Sequence, residues 1–137
     1  MLATDGEFHS ARRQFARWVE SGDIALTLVP AEPFATLEER FLETARSGAH
    51  DLIMVSQVLF GSGKVFGAVA ELAALAQPDG PWVVIDGYHS FMALETPFPP
   101  TVAQRAFFLG GGYKYAMAGE GMSFMHCPPG FGPRPPL

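Results

Sequence analysis

Lys114 stands between Tyr113 and Tyr115, directly behind Gly110-Gly111-Gly112, while Asp86 and His89 lie upstream in Ile85-Asp-Gly-Tyr-His89. An amine that must condense with an aldehyde has to lose a proton near neutral pH, which a partly desolvated pocket beside other positive charge favours. A heteroaromatic ring that acts as an electron sink needs an anionic carboxylate on its ring nitrogen, a role open to an Asp that ends a buried strand. The combination points to pyridoxal phosphate chemistry.

A lysine after glycines is ordinarily a solvated loop residue, so its placement decides the matter. Ala106-Phe-Phe-Leu109 is a short apolar run ending in glycines, which puts Lys114 just past a buried strand. Trp82-Val-Val-Ile85 does the same for Asp86. Charged residues at the ends of neighbouring hydrophobic strands are how open α/β sheets gather functional groups into one crevice.

The elements that must position them alternate along the chain. Strands are predicted over 1–4, 24–29, 52–55, 82–85, 107–109 and 122–126. A first helix is predicted from Ser10, which can cap it, through Phe15, Trp18 and Val19 to Gly22. A second opens at Thr36 with Glu38 and Glu39 in its first turn and Leu37, Phe41, Leu42 and Ala45 on its apolar face. A third is predicted over 65–76 after the Gly61-Ser-Gly63 turn, and 94–100 reads as irregular. The fold class is therefore α/β, a mostly parallel sheet flanked by helices.

Other chemistries fit poorly. Phe60-Gly-Ser-Gly-Lys-Val65 lacks the first glycine and the final Ser or Thr of a nucleotide-binding loop, since Val58 and Val65 occupy those places. His9, His50, His89, His126 and Cys127 do not show metal-ligand spacing, so no metal is expected. Arg12, Arg13 and Arg17 share a helix, where a solvated face or a dimer contact is their ordinary role. A net charge of −5 argues against nucleic acid. A single cysteine cannot form an internal disulfide, and no apolar run is long enough to span a bilayer; together these predict a cytoplasmic protein without membrane partners.

Val83-Val-Ile-Asp-Gly-Tyr-His-Ser90, Gly110-Gly-Gly-Tyr-Lys-Tyr115 and Gly119-Glu-Gly-Met-Ser-Phe124 resemble the class V group of fold-type I pyridoxal-phosphate enzymes, and within it the kynureninases and cysteine desulfurases. Ala3-Thr-Asp-Gly-Glu-Phe-His-Ser10 and Met54-Val-Ser-Gln-Val-Leu-Phe-Gly-Ser-Gly63 are similar to two further strand ends of that group. The resemblance implies a Schiff base between Lys114 and the cofactor, Asp86 on the pyridine nitrogen, and His89 near the phenolic oxygen. It implies that Tyr113 donates to the cofactor phosphate, that Phe8 or its neighbour His9 stacks on the ring, and that Gln57 lies close to the site. The family often carries Ser or Thr two or three residues before its lysine to bind phosphate; Gly111 and Gly112 stand there instead.

The resembled enzymes are roughly three times longer. The resemblance thus implies that residues 1–137 are part of a large domain lacking its N-terminal segment and C-terminal small domain, with a proline-rich loop over 128–137. It implies a homodimeric parent acting on a small amino-acid or amine substrate by kynureninase-like, aminotransferase or lyase chemistry, and an isolated chain that is inactive. A competing expectation of another class is a non-catalytic module that keeps the fold without binding the cofactor.

Overall fold

The computed structural model describes residues 1–131. The last six residues of the proline-rich loop expected over 128–137 lie outside the described residues. Six strands form one sheet: β1 (Leu2–Thr4), β2 (Thr27–Val29), β3 (Leu52–Ser56), β4 (Trp82–Asp86), β5 (Phe107–Gly111) and β6 (Ser123–His126). Their order is β2-β1-β3-β4-β5-β6, parallel throughout except for β6, which runs antiparallel to β5.

Alternation along the strands sends successive side chains to opposite faces, and each face has its own cover. Leu2, Ile53, Val55, Val83, Ile85 and Phe108 form the larger core. Against it pack α2 (Leu37–Ser47), through Leu37, Phe41, Leu42 and Ala45, and the short α3 (Val69–Ala73) and α4 (Pro100–Ala103). Ala3 and Met54 face the other way, against Phe15 of α1 (His9–Glu20), with Val84 and Leu109 partly buried beside them. The second face of β4 and β5 is thus left partly open next to α1, and Asp86 continues that face beyond Val84.

Several local expectations change. The helix expected over 65–76 is confined to Val69–Ala73. Val65 pairs with Val58 in an antiparallel bridge and the Phe66 N–H donates to the Gln57 carbonyl at 2.8 Å, so residues 57–66 fold back on themselves before the helix can begin. Ser10 does not cap α1: the helix starts one residue earlier, with Phe8 at the cap position and no side chain on its first N–H groups. β2 is shorter than the run 24–29, because the Ala25 carbonyl accepts from the chain's amino terminus and the Ile24 N–H donates to the Trp18 carbonyl, which holds the approach as a loop. β5 is longer, since its ladder with β6 reaches Gly111 opposite Ser123. Pro100 begins α4, where a missing N–H costs nothing.

Candidate functional site

Asp86 ends β4, and its Oδ1 accepts the Tyr88 N–H at 3.0 Å. This short side-chain-to-backbone turn swings the chain away from the sheet and presents His89 above the strand ends. Gly87 is required in that turn, because a Cβ there would run into the Phe108 ring. The three glycines after Leu109 serve the same purpose on β5. A Cβ at Gly110 would meet Phe124, one at Gly111 would meet the Tyr88 ring, and one at Gly112 would meet Met122. The bare backbone passes beneath Tyr88 and delivers Lys114 to His89.

Lys114 Nζ lies 2.8 Å from His89 Nε2. The rings of Phe8, Tyr88 and Tyr113 surround the amine at 5.1, 5.5 and 5.7 Å from their centroids. Phe8, Ser10, Ala11, Met54, Asp86, Tyr88, His89, Leu109, Tyr113 and Lys114 together line a cavity of about 300 Å³. Lys114 and Asp86 share this cavity, yet among the described residues the only ion pair is Arg17 with Glu20. The amine and the carboxylate therefore face one space without closing it.

The electrostatics follow from burial. Desolvation pushes the Asp86 carboxyl above the usual 3.8, while the Tyr88 N–H, His89 and Lys114 pull it back. Desolvation lowers His89 below 6.5, Lys114 lowers it further, and Asp86 opposes both. Lys114 is lowered from 10.5 by burial, against the attraction of Asp86. The three aromatic faces also favour the ammonium, so the proton shared by the pair rests on Lys114 and His89 accepts it through Nε2.

Of the residues singled out from the sequence, Lys114, Asp86, His89, Tyr113 and Phe8 meet at this cavity. Phe8 faces Lys114, whereas His9 turns to a shallow surface hollow with Arg12, Arg13 and Ala16. Gln57 follows β3 beside Asp86 in the backbone, its N–H donating to the Asp86 carbonyl at 2.9 Å, but its side chain is buried away from the cavity and donates to Pro97. Tyr88 was not among those site residues, and its place two residues after a turn-forming Asp was the available signal. Nor were Ser10, which lines the cavity, and the buried Glu7, next to Phe8 in sequence.

Among the described residues no cluster of three or more His, Cys, Asp or Glu could hold a metal ion, and no helix is long and apolar enough to cross a membrane. Comparison with models of known protein families returns no match, and no curated protein matches the chain.

Proposed function

We propose that this chain carries the cofactor-binding part of a pyridoxal-phosphate-dependent enzyme acting on an amino acid or amine, of the class V, kynureninase-like kind, in the large domain of a fold-type I homodimer. One observation carries the reading: an amine and a carboxylate at the ends of adjacent strands share one cavity with a flat aromatic side chain, and do not pair with each other. Those residues fit the group. The cavity is large enough for a substituted pyridine ring, and Asp86 keeps Oδ2 free of hydrogen bonds among the described residues.

When bound, the cofactor supplies the electron sink on which amino-acid bonds at Cα are broken. Asp86 would hold the pyridine nitrogen protonated, and its burial strengthens that interaction while water is excluded. Phe8 would cover one face of the ring. Lys114 would provide the amine that holds the cofactor and later moves a proton at the substrate Cα, with His89 Nε2 placed to take the ammonium proton first. For the phosphate, Ser10 and Tyr113, which line the cavity, would offer their hydroxyls, and the first turn of α1, which no side chain caps, its N–H groups.

Gly111 and Gly112 favour a second reading, a module that keeps the fold without the cofactor, because they offer no hydroxyl where the resembled family has one. Titration with pyridoxal phosphate separates the two. Saturable yellow absorbance that Lys114→Ala abolishes supports the enzyme; a protein from the complete reading frame that stays colourless supports the module.

A further inference from the structure

Between β1 and β3 the ladder is short. Leu2 opposite Ile53 is their registered pair, whereas β3 and β4 stay paired from Leu52 opposite Trp82 to Ser56 opposite Asp86. Where the β1–β3 ladder stops, the Glu7 carboxylate takes its place. Its Oε1 accepts the Thr4 hydroxyl at 2.6 Å and the Thr4 N–H at 3.4 Å. Its Oε2 accepts the Ser56 N–H at 2.9 Å and the Ser56 hydroxyl. Thr4 and Ser56 are the last residues of β1 and β3, so one side chain ties both strand ends.

Glu7 is only 3% exposed, with Thr4 and Ser56 equally enclosed. Among the described residues no cation pairs with it. A carboxyl in such a place is costly unless its lone pairs are filled, and here the N–H and hydroxyl groups of Thr4 and Ser56 fill them. The group thereby acts on the position of both strand ends. The next residue is Phe8, whose ring lies against the Lys114 amine, and the residue opposite Ser56 is Asp86.

We propose that Glu7 is the positioning residue of the candidate site: it locks the ends of β1 and β3 together, and so fixes the Phe8 ring relative to Asp86 and Lys114. The purpose of this lock rests on the cofactor reading above; its geometry does not. Glu7→Leu keeps a similar volume but removes both acceptors and so unties both strand ends, whereas with Gln the Thr4 or Ser56 hydroxyl could turn to accept the amide N–H. Ser56→Ala removes a single hydroxyl and leaves the backbone bond.

Reductive methylation with ¹³C-formaldehyde labels Lys114, Lys64 and the amino terminus, and Lys114→Arg assigns the Lys114 signal. Ring current from Phe8 displaces the Lys114 methyl signal, and Phe8→Leu measures by how much. Glu7→Leu should move that signal most of the way to its Phe8→Leu position while circular dichroism remains native, and Phe8→Leu added to it should change little more. Ser56→Ala should move the signal in the same direction by less, which keeps the test open if Glu7→Leu does not fold. A folded Glu7→Leu or Ser56→Ala protein with the Lys114 signal at its wild-type position overturns the proposal, even if its melting temperature has dropped. No pyridoxal phosphate is added, so failure of the cofactor titration leaves this result independent.

Discussion

Lys114 Nζ and His89 Nε2 are 2.8 Å apart, so the two bases hold one proton between them. With burial and the Lys114 charge both disfavouring the imidazolium, His89 is a neutral acceptor at neutral pH. Its titration by NMR should therefore have a midpoint below 6.5, and Lys114→Met should raise that midpoint part of the way back. A base whose folded value is depressed contributes stability above 6.5 and loses it as pH falls through the folded value. A midpoint unmoved by Lys114→Met would show that the amine and the ring do not share the proton.

Asp86 has the opposite linkage. Its carboxyl is raised from 3.8, so its contribution to stability is present below 3.8 and is lost as pH rises through the folded value. Asp86→Asn retains an oxygen for the Tyr88 N–H and escapes that loss. The cofactor-free variant should be at least as stable as wild type at neutral pH while turnover collapses. Thermal unfolding across the acid-to-neutral range checks this, and a variant less stable at neutral pH would contradict it.

Phe8 and His9 are separable by substitution. Phe8 lines the cavity and His9 does not, so Phe8→Ala should weaken cofactor affinity by roughly 2- to 13-fold, the equivalent of the about 0.5–1.5 kcal/mol that aromatic contacts add beyond area burial. His9→Ala should leave affinity nearly unchanged. Equal losses in spectroscopic titrations of the two variants would place the ring contact elsewhere.

The strands were legible because β3, β4 and β5 are apolar runs, and the meeting of Asp86 with Lys114 follows once both end neighbouring strands of a parallel sheet. The helix over 65–76 was misread because its alanine-rich composition favours helix locally, while the Val58–Val65 bridge that delays it is a contact the pattern does not encode. Glu7 was invisible for a related reason. A Glu beside Gly6 reads as a solvated turn, and one of its partners, Ser56, comes 49 residues later.

The glycines before Lys114 give a packing test. Gly111→Ser would restore a hydroxyl where the resembled family has one, but its Cβ would enter the Tyr88 ring. It should destabilise the fold by about 1–3 kcal/mol, the usual cost of overpacking. Gly112→Ser should cost less, since the atom met at 2.5 Å is the flexible end of Met122. Unchanged denaturant midpoints for Gly111→Ser would show that Tyr88 is free to leave the strand end.

The central claim is that the Lys114 amine holds the cofactor. Protein from the complete reading frame, saturated with pyridoxal phosphate, reduced with borohydride and digested, should carry the pyridoxyl group on the peptide containing Lys114 and lose it in Lys114→Ala. The group found on Lys64, the other lysine of this chain, or on neither, would contradict the assignment.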